Sequence, residues 1–240
     1  MGLFIAAAIT TALVLCGFAI LLRQSDDWRP VALAFLIALP LQPLMIYALR
    51  LPVDGLLRST FGISATWVTI VALFYAPLTE EPAKWLTAAV PKVRQAILKD
   101  PILLALAAGA GFGLGEVWFL AQALIRSPGY PDLPFYMFDG FLFERLAVCF
   151  LHGVLLVPPF YALASGRSFL LGGLAGMALH FLLNLPIYLA SINLFGLGET
   201  WKPLLLLWIA VLVVLGAILV LALPRQPARA AALQSGMTPP

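Results

Sequence analysis

The stretch A-L-F-Y-A-P-L-T-E-E-P-A-K-W, residues 72–85, decides how the rest of the chain is read. Two adjacent carboxylates, Glu80 and Glu81, follow an apolar run, and Lys84 stands four positions after Glu80. In a water-soluble chain such a sequence opens a surface helix. Here 62% of the 240 residues are hydrophobic, 10% are charged, and the mean hydropathy is +1.02. Soluble domains carry about 25% charged residues. The setting is therefore a lipid bilayer, where an ionisable side chain within a span is costly and functional by default.

Working outward, apolar segments long enough for a hydrocarbon core of about 30 Å recur along the chain. The spacing predicts an all-α, polytopic bundle of about seven transmembrane helices, over 3–22, 31–49, 64–90, 101–125, 141–163, 169–190 and 203–223. The first lacks the basic start of a signal peptide, and Leu15 is too large for a lipoprotein cleavage box before Cys16. Pro40 and Pro43 are expected to kink the second span. The third is expected to end near Val90, before Pro91 and a basic turn, K-V-R-Q. Gly109, Gly111, Gly113 and Gly115 give the fourth span the small residues of close helix–helix packing. Residues 126–144, rich in proline and aromatics, read as an ordered loop at the interface. The chain divides into accessory helices (1–71), a polar-centred core (72–190), a last helix (191–223) and a disordered tail (224–240).

Seven spans put the two ends on opposite sides of the membrane. Arg23, Arg29, Lys92, Arg94, Lys99, Arg167, Arg225 and Arg229 collect on one side, against Arg50, Arg58, Arg126, Arg145 and Lys202 on the other. Positive residues favour the cytoplasm, which places the amino terminus outside and the carboxyl terminus in the cytoplasm. A net charge of +3 without a basic cluster argues against nucleic acid as a partner. Cys16 and Cys149 both lie in apolar runs and read as buried small hydrophobes, not as a disulfide.

The polar residues inside the spans are few: Glu80, Glu81, Lys84, Glu116, His152, His180 and Asn184, with Arg145 near the start of span five. They fall on spans three to six, which points to a polar centre within an apolar jacket. Glu80 and Lys84, Phe112 and Glu116, and His180 and Asn184 are each four apart and share a helix face. Glu80 and Glu81 point about 100° apart around a helix. One of them is therefore expected to work on a reactant while the other is held, with Lys84 as its partner. Arg145 reads as an interfacial anchor, or a partner of Glu144 or of a lipid phosphate.

A carboxylate in this setting can take a proton from water, and an imidazole can polarise that water, carry a proton or bind a metal. His180 and Asn184 on one face can offer donors to an oxyanion. Glu116, His152 and His180 are candidate ligands for Zn²⁺. Three carboxylates with Lys84 alone to balance them favour such an ion, although the H-E-x-x-H signature is absent.

At these residues the chain resembles the PrsW-type intramembrane proteases, relatives of the type II CAAX prenyl endopeptidases and bacteriocin-processing proteases. E-E-P-A-K (80–84) is similar to their first motif and F-G-L-G-E (112–116) to the second. The single His of R-L-A-V-C-F-L-H-G (145–153) resembles the third, and H-F-L-L-N (180–184) the fourth. Pro82 inside the first motif, and Val117 and Trp118 after Glu116, depart from the usual pattern. The resemblance implies peptide-bond hydrolysis, either metal-dependent or by a glutamate without metal, in the plasma membrane of a prokaryote, on a membrane protein or a lipidated peptide. It assigns Glu80, Glu81, Glu116, His152, His180 and Asn184 to catalysis, with Lys84, Arg145 and Phe112 supporting.

Two other classes fit the same residues, a proton- or ion-coupled transporter and a non-catalytic membrane scaffold. A relay needs polar groups strung across the bilayer, whereas a hydrolase needs one cluster. Depth is the difficulty. Counted at about 1.5 Å per residue, Glu80 falls nearer the cytoplasmic side and Glu116 nearer the outer side.

Overall fold

The computed structural model describes residues 1–62 and 66–225. The expected start of span three at residue 64, and the tail from residue 226 with Arg229, lie outside these residues. Within them the chain is helical, without strands, and is an integral membrane bundle. Six of its helical segments are long and apolar enough to cross a bilayer. The third expected span is the one that does not meet that measure, and three of the last six residues of its helix are Glu80, Glu81 and Lys84.

The first helix, α1 (Gly2–Arg23), is followed by α2 (Trp28–Met45), whose first turn is capped by Asp27 accepting from the Arg29 amide at 3.1 Å. The prolines do not end α2. The chain instead passes through a π-helical turn, Ile46–Arg50, into α3 (Leu51–Phe61). Pro52 has no amide for the Ala48 carbonyl and crowds it, and the Leu51 N–H reaches back to the Ile46 carbonyl. Span two is thus a 34-residue helical segment, longer than expected.

The fourth helix, α4 (Thr66–Trp85), stops short of the expected end. A 3₁₀ turn (Leu86–Ala89) leads into α5 (Pro91–Lys99), where a basic turn was expected. Pro91 suits the first position of a helix, and Val93 and Ile97, four apart, bury one face of α5 while Lys92 and Arg94 stay exposed. Next come α6 (Pro101–Leu124), capped by Asp100, and the connection with a 3₁₀ turn at Phe135–Phe138. The last three helices are α7 (Asp139–Ala164), α8 (Phe169–Ser191) and α9 (Trp201–Ala222).

The core is centred on α6, which packs against α7 on one side and α2 on the other. Its glycines sort by face. A Cβ on Gly109 would lie 2.0 Å from the Gly153 nitrogen, and one on Gly113 2.6 Å from the Cys149 Cα, both on α7. A Cβ on Gly111 would meet the Phe35 carbonyl oxygen at 2.2 Å, and one on Gly115 the Leu39 oxygen at 2.2 Å, both on α2. Without side chains at these positions three backbones lie almost in contact, as in small-residue membrane packing. Val31, Ala34 and Ala38 of α2 are fully buried in this core, so α2 belongs to the centre of the bundle.

The amino-terminal nitrogen donates to the Pro131 carbonyl at 3.1 Å. At the other end of α1, Arg225 donates to the Gln24 side chain at 2.7 Å. The two described ends of the chain therefore sit at opposite ends of the bundle. Cys149 is buried as expected, but Cys16 is exposed. Only one side of α1 meets the bundle, and Cys16 shares the outward side with Leu13 and Ile20.

Candidate active site

Four helices bring the polar residues together at the middle of the bundle. On α4, Glu81 and Lys84 have no exposed surface, and Glu80 is 3% exposed. Lys84 Nζ donates to Glu81 Oε1 at 2.5 Å, and His180 Nδ1 lies 2.6 Å from the same oxygen. Lys84 also reaches His152 Nδ1 at 3.2 Å and stands 5.3 Å above the centre of the Phe112 ring. His152 Nε2 is 3.0 Å from Glu116 Oε2, and Arg145 Nη1 is 3.1 Å from Glu116 Oε1. Arg145 Nη2 then donates to Glu144 at 2.6 Å. The polar chain runs His180–Glu81–Lys84–His152–Glu116–Arg145–Glu144 without a break.

Local sequence explains each placement. Glu116 is three residues after Gly113 and seven after Gly109, so it lies on the face of α6 that touches α7. Phe112, one turn earlier on that face, meets the His152 ring edge-on at 5.0 Å. His152 precedes Gly153, whose backbone is the contact of Gly109. Trp85 ends α4 against Gly173 and Phe169 of α8, which fixes the height of Glu81 beside His180. This removes the difficulty of depth. The chain leaves α4 at Trp85 and folds back through α5, so its last turn lies within the bundle.

Of the adjacent pair, Lys84 holds Glu81, three residues away, a choice that the sequence reading left open. Glu80 is held by Arg50 Nη1 at 2.6 Å. Arg50 lies just beyond the expected end of span two at residue 49, but the π-helical turn continues the helix through it and brings its side chain to Glu80. Its sequence signal was an arginine within the apolar run 44–53. Arg145 is 7% exposed and is a buried partner of Glu116 as well as of Glu144, not an interfacial anchor.

A cavity of about 380 Å³ adjoins the cluster. Its polar wall is formed by Arg50, Glu80, Glu116, His152, His180 and Asn184. Leu124 of α6, Phe141 of α7 and Ile187 of α8 continue it toward the end of the bundle where α6 stops and α7 begins. In the opposite direction the cluster ends on packed apolar side chains, Leu104, Ala108, Leu156 and Phe160. The polar groups therefore form a pocket floor and not a file across the bundle.

No protein-family model, curated protein or solved structure matches this chain.

Among the described residues no three His, Cys, Asp or Glu side chains converge closely enough to hold a metal ion. Both nitrogens of His152 are engaged, one by Lys84 and one by Glu116, and His180 Nδ1 is engaged by Glu81. The charge argument for an ion also changes. Arg50, Lys84 and Arg145 supply one cation to each of Glu80, Glu81 and Glu116. The set His152, His180 and Glu116 does not fit a three-ligand zinc site in this arrangement.

Proposed function

We propose that the chain is an intramembrane endopeptidase of the PrsW-like kind, acting on a membrane protein or a lipidated peptide. The observation that supports this reading most is the convergence of four helices' polar residues on one closed-ended cavity. A proton relay or channel calls for polar groups on both sides of the midplane, and here one side is packed with leucine, alanine and phenylalanine.

Glu80 is the carboxylate of the adjacent pair that lines the cavity, while Glu81 is tied to Lys84 and His180. In the proposed reaction Glu80 takes a proton from a water as the water oxygen bonds to the substrate carbonyl carbon. The carbonyl oxygen becomes an oxyanion facing the Asn184 amide. The carbon–nitrogen bond then breaks, and the proton passes from Glu80 to the leaving amine. Glu116, fixed by His152 and Arg145, shapes the opposite wall.

The same reading orients the protein in a prokaryotic plasma membrane. With Arg50 and Arg145 drawn into the site, Arg58, Arg126 and Lys202 remain at the end where the cavity opens. Arg23, Arg29, Lys92, Arg94, Lys99, Arg167 and Arg225 remain at the other. The cavity would open to the outside, with the amino terminus.

The test is a census of new amino termini in membranes of cells expressing the wild-type chain or Glu80→Gln. Cleaved membrane proteins should appear with the wild type alone. Identical sets would sink the peptidase reading. Adding a chelator, then zinc, to purified active protein tests the ion separately, and activity that persists after chelation is expected.

A further inference from the structure

Lys84 is fully buried and lines no part of the cavity itself, although it touches His152, which does. Its contacts nevertheless decide the chemistry of both histidines. Lys84 is bonded to the Glu81 carboxylate, so it is an ammonium, which has three donors and no acceptor. The nitrogen it meets at 3.2 Å, His152 Nδ1, must therefore be the unprotonated one. The single proton of neutral His152 then sits on Nε2 and is donated to Glu116 at 3.0 Å. On the other side, Glu81 is an ionised acceptor, so the 2.6 Å contact requires a proton on His180 Nδ1.

We infer that Lys84 is a positioning residue that fixes His152 as the Nε2–H tautomer and, through Glu81, fixes His180 as the Nδ1–H tautomer. The buried ammonium occupies the organising place that a metal ion holds in histidine-rich hydrolases. His152 is thereby committed at both nitrogens and serves to hold Glu116. Only His180 keeps a ring nitrogen, Nε2, without a hydrogen-bond partner among the described residues, and His180 lines the cavity. In this tautomer Nε2 is an acceptor. It would hold the attacking water beside Glu80, whereas the sequence reading made His180 an oxyanion donor. That last step rests on the peptidase reading; the tautomers do not.

The chain has two histidines, so ¹⁵N-histidine labelling of the full protein in lipid nanodiscs resolves them, and His180→Gln assigns the remaining signal to His152. The expected His152 signal is a neutral ring protonated on Nε2 and bare on Nδ1. The wild-type spectrum should add a second ring protonated on Nδ1. In Lys84→Met the His152 signal should become a mixture of tautomers. A His152 ring protonated on Nδ1, or on both nitrogens, overturns the inference, as does a Lys84→Met protein in which His152 keeps the pure Nε2–H form. If Lys84→Met does not fold, the wild-type and His180→Gln spectra still decide the tautomers. Because this readout needs no substrate, it stands or falls apart from the search for cleaved proteins.

Discussion

Arg50 Nη1 lies 2.6 Å from Glu80 Oε1, joining the π-helical turn after α2 to the last turns of α4. Glu80 is 4% exposed at its side chain and Arg50 is 28% exposed. Removing the cation leaves a carboxylate in a poorly solvated place, at a cost of about 1–3 kcal/mol. Arg50→Met should therefore lower the thermal midpoint in detergent, and Arg50→Lys should recover part of the loss. Equal midpoints for Arg50→Met and wild type would show that the pair contributes nothing.

Glu80 and Glu81 are neighbours in sequence but not in consequence. Glu81→Gln leaves Lys84, which has no exposed surface, without its carboxylate. Breaking a buried pair costs about 3–5 kcal/mol. Glu80→Gln leaves Arg50, which reaches water. The expected order of stability is wild type, then Glu80→Gln, then Glu81→Gln. Activity is expected to fall in both, by about 10²–10⁴ for the loss of a general base at Glu80. A Glu81→Gln protein as stable as Glu80→Gln would contradict the pairing of Lys84 with Glu81.

The approach of α6 to α7 is testable by single methyl groups. A Cβ on Gly109 would sit 2.0 Å from a backbone nitrogen, which no rotamer change relieves. Gly109→Ala should cost more than the about 1–3 kcal/mol of ordinary overpacking, and it should move Glu116 away from His152. Gly17→Ala, with nothing within 4 Å, is the control and should be neutral or mildly stabilising.

Asp100 caps α6, accepting from the Leu103 amide at 3.0 Å. Burial pushes its carboxyl above the usual carboxylate range, against the pull of the Leu103 amide and the Arg225 guanidinium. A raised carboxyl favours the fold below its unfolded pKa, and that contribution is lost as pH rises through the folded value. At neutral pH the charge is therefore a net burden at this site. Asp100→Asn keeps a capping oxygen and should match or exceed wild type at neutral pH, with the difference closing near about pH 4. Asp100→Ala should lose about 1 kcal/mol for want of a cap. Melting curves at several pH values check the sign.

The sequence by itself determined that the chain is an all-α bundle of apolar spans, because hydropathy over about 20 residues is a local property that a bilayer imposes on any chain. It also singled out Glu80, Glu81, Glu116, His152, His180 and Asn184, since polar groups inside apolar runs stand out without knowledge of their neighbours. Tertiary structure alone decided who holds whom. Whether Lys84 pairs with Glu80 or Glu81 depends on how α4 is rotated against α8, and both spacings suit a helix. Whether Glu116 and Glu81 share a depth depends on where α4 stops, at Trp85 against Gly173, and on how far α6 slides along α7, which Gly109 and Gly113 set. Arg50 entered the site because a π-helical turn before Pro52 carried the helix past the expected end of the span at residue 49. These are offsets of a few ångströms between separate helices, and ion pairs of 2.5–3.1 Å form only after packing has fixed them.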